Sequence, residues 1–137
     1  MKQPFFEGVC TALVTPFFAD GSLNEAMAAQ LLRRQEENGV RAVVLSGTTG
    51  ESPTLSTEEK LRLFRLGREV LSPGTLVIAG TGSNDTLKAV ALSREAEKSG
   101  VDALLVVSPY YKKATPEGLI AHYTKIAQAV EIPVILY

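Results

Sequence analysis

The sequence predicts an α/β protein in which parallel strands alternate with helices. Two observations support this prediction: short apolar runs rich in Val, Leu and Ile recur along the chain, and longer amphipathic stretches separate them. A third is an internal echo, because residues 39–42 and 100–103 both read Gly-Val, then a charged residue, then Ala. Strands joined through helices must be parallel, so the predicted order is β-α-β-α-β-α-β-α-β.

The five strands are predicted from runs of mostly consecutive apolar residues: 9–14, 42–45, 76–79, 103–107 and 134–136. Because apolar and polar residues do not alternate in these runs, each is interpreted as a strand buried on both faces of a sheet. Cys10 lies in the first run and is predicted to be a buried strand thiol. As the single cysteine, it cannot form an internal disulfide.

The first two helices have clear boundary signals. The first is predicted over residues 24–38 and stops at Gly39. The second opens at Ser56, and Glu59 three residues later completes a capping box. In that motif, the hydroxyl and the carboxylate each satisfy a backbone amide that has no partner within the helix.

The last two helices also carry start and stop residues. The third is predicted over residues 85–99 and ends at Gly100, a residue suited to the left-handed position after a helix. The fourth begins at Thr115, an N-cap residue followed by Pro116 at the first helical position.

Two architectures fit this order of elements: a five-stranded doubly wound sheet, or slightly more than half of an eight-stranded barrel. A complete doubly wound domain would normally cover its last strand with a further helix. This sequence instead stops at Tyr137, within an apolar run, which favours a truncated barrel. The residue pattern alone leaves both architectures open, with residues 1–137 forming one domain in either case.

The composition excludes several classes of function. The formal net charge is −1 and the acidic and basic residues are interspersed, so there is no basic surface for nucleic acid or for an anionic membrane. No apolar run approaches the roughly 20 residues of a membrane span, and the N-terminus lacks the apolar core of a signal peptide. We therefore expect a cytoplasmic protein that binds a small neutral or anionic metabolite.

Candidate binding residues follow the strands, because ligands of parallel α/β folds bind at the carboxyl ends of strands. Residues 46–52 place two threonines between glycines, and this segment is either a carboxylate cradle or an ordinary glycine turn. Residues 80–85 are glycine-rich but match no nucleotide-binding motif. Residues 108–113 contain paired tyrosines, which suit proton relay or simple packing, and the fifth strand ends in Tyr137.

Metal and cofactor chemistry has little support in the sequence. His122 stands alone in the fourth helix and is interpreted as a solvated or core-edge histidine. No cluster of His, Cys and carboxylate residues has the spacing of a metal site. We therefore expect neither a metal nor a cofactor.

Five spaced motifs, taken together, resemble the dihydrodipicolinate synthase family of class I, pyruvate-dependent aldolases. They lie at residues 12–17, 47–51, 79–82, 109–111 and 135–137, so the resemblance covers essentially the whole chain. It implies the N-terminal portion of a (β/α)8 TIM barrel, with about four β-α units and the fifth strand. It also implies condensation of pyruvate with aspartate semialdehyde through a Schiff base in lysine and diaminopimelate biosynthesis, by a homo-oligomer that is a dimer or tetramer.

The resemblance assigns roles to residues of this sequence. It implies that Tyr137 is the phenol nearest the Schiff base and that Thr48 is the bridging hydroxyl of a proton relay. It also implies that the Tyr111 phenol crosses a dimer interface and enters the partner's site. Thr49, together with Thr48, would bind the pyruvate carboxylate. Hydroxyl and phenol groups suit this chemistry because they transfer protons without competing with the amine nucleophile.

A second set of residues corresponds to the family's interface pocket for an effector, lysine. These are Ser52, Asn84 and Tyr110, together with Lys88 at a position where lysine-responsive members carry a glutamate. Because Lys88 and Lys60 would face the effector's ammonium with like charge, we expect insensitivity to lysine.

Two alternatives to the synthase reaction remain open. The first is the reaction of a sister family, N-acetylneuraminate lyase or the keto-sugar-acid aldolases, because the resemblance implies that these enzymes share the barrel, the Schiff-base lysine and the tyrosine. The Thr48 and Thr49 pair favours the synthase over them. A non-catalytic half-barrel that needs a partner chain is the other alternative. The family's Schiff-base lysine, and the arginine for the second substrate, would both lie beyond Tyr137. The chain's seven lysines are predicted to be solvated, so the chain alone is expected to be inactive.

Overall fold

The computed structural model describes residues 4–137, so Lys2, one of the seven lysines, lies outside the described residues. Nine elements alternate along the chain as predicted, and a single 3₁₀ turn at Ser52–Thr54 precedes the second helix. The strands are β1 (Cys10–Ala12), β2 (Ala42–Leu45), β3 (Leu76–Gly80), β4 (Ala103–Val106) and β5 (Val134–Leu136). The helices are α1 (Glu25–Glu37), α2 (Thr57–Val70), α3 (Thr86–Lys98) and α4 (Pro116–Ala127).

All four strand pairs are parallel, and the strand order in the sheet is β1-β2-β3-β4-β5. In a doubly wound sheet the order reverses at a switch point, so that the first strand lies inside the sheet. Here each strand lies beside the one that precedes it in the chain, which is the progression of a (β/α)8 barrel. The five strands and four helices therefore form part of a barrel wall.

The predicted helix boundaries are confirmed by their caps. The Asn24 side chain accepts a hydrogen bond from the Met27 amide at 3.0 Å. In the capping box of α2, the Glu59 amide donates to Ser56 Oγ at 3.2 Å and the Ser56 amide donates to the Glu59 carboxylate at 2.8 Å. Gly100 has a φ of 82°, the left-handed conformation that the sequence predicts after α3.

Alternate strand residues face two separate apolar clusters. The larger cluster lies between the sheet and the helices, where Val43, Val77 and Leu104 pack with Phe64 and other helix residues. The smaller cluster lies on the opposite face, which is the barrel interior, and contains Ala42, Val44, Ile78 and Ala103. The central strands are therefore buried on both faces, as the consecutive apolar residues predict.

The same prediction is wrong for the outer strands. Val9, Val14 and Leu136 are mostly exposed, and Cys10 is exposed although partial burial raises the pKa of its thiol. The reason is position: β1 and β5 are the edges of the described sheet, so each has a neighbouring strand on one side only.

The internal echo corresponds to a repeated contact at the amino ends of the strands. Glu36, near the end of α1, accepts a hydrogen bond from the Ser72 amide at 2.9 Å. Glu97, near the end of α3, accepts one from the Glu131 amide at 2.7 Å. Glu36 lies three residues before Gly39, and Glu97 lies three residues before Gly100. Each glutamate thus holds the loop that follows the next helix along the chain, α2 or α4, by a hydrogen bond.

Candidate active site

A groove of about 920 Å³ opens at the carboxyl ends of the strands. Its wall includes the loops after β2, β3 and β4 and the end of β5. Seven of the eight candidate site residues line it: Thr48, Thr49, Ser52, Lys88, Tyr110, Tyr111 and Tyr137. The eighth, Asn84, is not in the groove lining but donates from its amide to the carbonyl of Tyr110, a lining residue, at 3.4 Å.

The loop after β2 presents both threonines to the groove. It closes on itself through two backbone hydrogen bonds of 3.0 Å, from the Gly50 amide to the Gly47 carbonyl and from the Glu51 amide to the Thr48 carbonyl. The amides of Thr48 and Thr49 have no hydrogen-bond partner in the described part of the chain. Two hydroxyls and two unpaired amides at a strand end are suited to an anionic group such as a carboxylate.

Two residues that the sequence analysis missed hold this loop. A Cβ at Gly80, on β3, would lie only 2.3 Å from the Ser46 carbonyl oxygen, so glycine is what lets the two strand ends approach so closely. Thr15, after β1, donates from Oγ1 to the Gly50 carbonyl at 2.7 Å. Both belong to sequence motifs quoted above, at residues 12–17 and 79–82, but neither carries a reactive group that would single it out.

The paired tyrosines differ in their environment. Tyr111 is fully exposed and has a φ of 58°, a left-handed conformation that is strained for a bulky residue. Tyr110 is less exposed, and the two rings pack edge to face with centroids 6.3 Å apart. Because its side chain is fully exposed, the Tyr111 phenol is accessible to another molecule.

Tyr137 is held by its backbone while its ring stays exposed to the groove. Its amide donates to the Val106 carbonyl at 3.0 Å, and its carbonyl accepts from the Ser108 amide at 2.8 Å. The Tyr123 hydroxyl donates to the same carbonyl at 3.2 Å. Tyr137, Thr48 and Tyr111 thus line the same groove, but no hydrogen bond joins any two of them in the described residues.

One prediction about the lysines is wrong. Lys60 lines the groove from the first turn of α2 and is half-buried, and this burial lowers the pKa of its ammonium. Lys88 lines the same groove and is exposed. Two lysines therefore face the space shared with Ser52 and Tyr110.

His122 is buried. Of its two sequence-based interpretations, solvated or at the edge of the core, the structure therefore favours the second. It is 4% exposed, and Nδ1 lies 2.8 Å from the Thr86 hydroxyl. Within residues 4–137, no group of three or more His, Cys, Asp or Glu side chains could hold a metal ion. None of the helices described is both long and apolar enough to cross a membrane.

Known proteins resemble this chain over almost all of its length. A sequence profile of the dihydrodipicolinate synthetase family matches residues 5–137. The 4-hydroxy-tetrahydrodipicolinate synthase of Fervidobacterium nodosum is 48% identical over 132 residues, which cover 96% of this chain and 45% of that protein. The chain therefore spans less than half the length of this relative.

Solved structures agree with the strand order. The chloride-inhibited dihydrodipicolinate synthase of Acinetobacter baumannii, complexed with pyruvate, is 43% identical with a TM-score of 0.92, over 95% of this chain and 45% of that one. The N-acetylneuraminate lyase of Mycoplasma synoviae is 30% identical with a TM-score of 0.88, over 97% and 46%. The progression of the strands, the profile match and these likenesses together show that the chain belongs to the dihydrodipicolinate synthetase family and forms the N-terminal part of its barrel.

Proposed function

We propose that these residues serve as the N-terminal half-barrel of a 4-hydroxy-tetrahydrodipicolinate synthase. This enzyme is a lyase of the class I aldolase type, and it condenses pyruvate with aspartate semialdehyde in lysine and diaminopimelate biosynthesis. We place it in the cytoplasm as a homo-oligomer. The observation that carries the proposal is the groove that Thr48, Thr49 and Tyr137 line together at the carboxyl ends of β2 and β5. The name of the Fervidobacterium relative supports the same reaction.

The carboxylate of pyruvate fits the loop after β2. Thr48 and Thr49 line the groove, and their two hydroxyls and two unpaired amides together offer four donors to an anion. Their backbone is held in place before any ligand arrives, which lowers the entropic cost of binding. The pyruvate bound to the Acinetobacter relative supports a keto acid as the ligand.

Proton transfer falls to the phenols and the Thr48 hydroxyl. Tyr137 serves nearest the Schiff base, and Thr48 connects it to Tyr111, which comes from the partner subunit. The full exposure of Tyr111 supports this last role, because its ring is free to contact another copy of the chain. The Schiff base itself forms on a lysine outside these residues.

The effector pocket of the family has an altered charge in this chain. Ser52, Tyr110 and Lys88 line one groove, together with the half-buried Lys60. A cationic effector such as lysine would meet two ammonium groups there, and like charges in a partly desolvated space repel each other. The enzyme is therefore insensitive to lysine.

Trapping of the pyruvate adduct tests the proposed function. The protein to use is a chain of the relatives' full length that begins with these residues, called here the family-length protein. Incubation with pyruvate, reduction with borohydride and peptide mapping should yield one adduct, on a lysine that is none of the seven in this chain. The same preparation should consume aspartate semialdehyde and leave N-acetylneuraminate uncleaved. Cleavage of N-acetylneuraminate, or the absence of any adduct, would contradict the proposal.

A further inference from the structure

Thr15 contacts the turn formed by residues 47–50, which carries Thr48 and Thr49, although Thr15 does not itself line the groove. It follows β1, its side chain is 7% exposed, and Oγ1 donates to the Gly50 carbonyl at 2.7 Å. The two residues are 35 positions apart in the chain. This hydrogen bond therefore ties the first β-α loop to the second.

Gly50 is the residue through which Thr15 reaches the turn. Its amide donates to the Gly47 carbonyl at 3.0 Å, so the peptide unit of Gly50 closes the turn that carries the two threonines. A Cβ at Gly50 would lie 3.0 Å from the Leu13 carbonyl oxygen and 3.2 Å from Thr15 Oγ1. A side chain at position 50 would therefore press on the backbone after β1 and on the Thr15 hydroxyl, so the turn and the first β-α loop are packed closely at this point.

The turn is flanked by strained backbone on both sides. Ser46 has a φ of 55° and Glu51 a φ of 57°, both in the left-handed region. Such conformations persist in residues other than glycine only where surrounding contacts hold them. Among residues 4–137, the hydroxyl of Thr15 makes the only side-chain hydrogen bond from another element to residues 47–50.

We propose that Thr15 is a positioning residue for the keto-acid carboxylate site. Its hydroxyl fixes the Gly50 carbonyl, and the closed turn then holds the amides and hydroxyls of Thr48 and Thr49 at the spacing that a carboxylate requires. Loss of the hydroxyl frees the turn to relax from its strained conformation, so the site is no longer formed before the ligand arrives. This inference rests on the proposed function and deepens it, because it assigns a residue outside the groove to substrate binding.

The test compares Thr15→Val with Thr75→Val in the family-length protein. Thr75 is also buried and donates to Glu36 at 2.8 Å, but it lies at the amino end of β3, away from the groove. Both substitutions replace a hydroxyl by a methyl group and remove one hydrogen bond. We expect Thr15→Val to raise the KM for pyruvate by roughly tenfold at comparable melting temperature, while Thr75→Val leaves it unchanged. Thr15→Ser, which keeps the hydroxyl, should restore the wild-type KM.

The possible results separate this inference from the function on which it rests. If wild-type protein forms no pyruvate adduct, the proposed function fails and the inference fails with it. If wild type forms the adduct but Thr15→Val has the same KM as Thr75→Val, the inference alone is overturned. Should Thr15→Val not fold, Thr15→Ala and Thr15→Ser make the same comparison, since they differ only in the hydroxyl. An equal KM for these two would also overturn it.

Discussion

The Thr86 hydroxyl lies 2.8 Å from Nδ1 of His122, and this contact joins the first turn of α3 to the middle of α4. The other ring nitrogen of His122, Nε2, is buried and has no hydrogen-bond partner in residues 4–137. Burial lowers the pKa of His122 below its ordinary value of 6.5, because a charged imidazolium would lose its hydration there. The native state thus favours the neutral ring.

The first prediction concerns stability at acid pH. Below about pH 6.5 the unfolded chain binds a proton at His122 more readily than the folded chain does, so stability falls as pH falls. The contribution is fully present above that pH and is lost at no more than about 1.4 kcal/mol per pH unit, the limit for one proton. Denaturant melts at pH 7.5 and 5.5 should show a smaller loss in His122→Gln than in wild type. Equal losses in the two proteins would contradict the prediction.

The second prediction concerns the close approach of β3 to the loop after β2. Gly80→Ala would place a methyl group against the Ser46 carbonyl and 2.9 Å from the Gly47 nitrogen, and both contacts are backbone atoms that cannot rotate away. We expect a loss of roughly 1–3 kcal/mol in the free energy of unfolding, together with weaker pyruvate binding. Gly74→Ala is the control, since its Cβ would meet only Ser72 Oγ at 3.7 Å. Equal free energies of unfolding for the two variants would contradict the prediction, because they would show that the loop after β2 can shift to accept the methyl group.

The third prediction concerns regulation. Activity of the family-length protein should be unaffected by sub-millimolar lysine, because Lys88 and Lys60 present like charge to its ammonium. Lys88→Glu removes one of these charges and supplies a carboxylate, so this variant should gain measurable inhibition. Initial rates with and without lysine, for wild type and Lys88→Glu, measure both expectations. Inhibition of the wild type at that concentration would show that the pocket tolerates its two lysines.

The order and type of the elements could be predicted from the sequence because each has its own local signal. Apolar runs mark the strands, and the Ser56 capping box and Gly100 mark helix ends that the structure reproduces. The choice between a doubly wound sheet and a barrel could not be made from those signals, because it depends on which strands are neighbours. The predicted burial of Cys10 is wrong for the same reason, since an apolar run does not reveal that its strand lies at an edge of the described sheet.

The candidate site divides in a similar way. The segments that carry Thr48, Tyr111 and Tyr137 could be singled out from the sequence because they follow predicted strands, whereas the roles of these residues are implied by the resemblance of their motifs to the family. Thr15 acts through a contact 35 residues away, and no local pattern encodes such a contact. The burial of Lys60 also depends on how α2 packs beside the groove, which the spacing of residues within one helix does not determine.

The most direct test of the proposed function is the steady-state condensation of pyruvate with aspartate semialdehyde by the family-length protein and its Tyr137→Phe and Thr48→Val variants. Both residues line the groove and each substitution removes one hydroxyl, while Thr75→Val is the remote control. If the relay acts on the transition state, kcat should fall by about a hundredfold in each site variant, the KM for pyruvate should change far less, and the control should match wild type. Unchanged kcat in both site variants, with wild-type protein active, would contradict the assignment of this groove as the catalytic site.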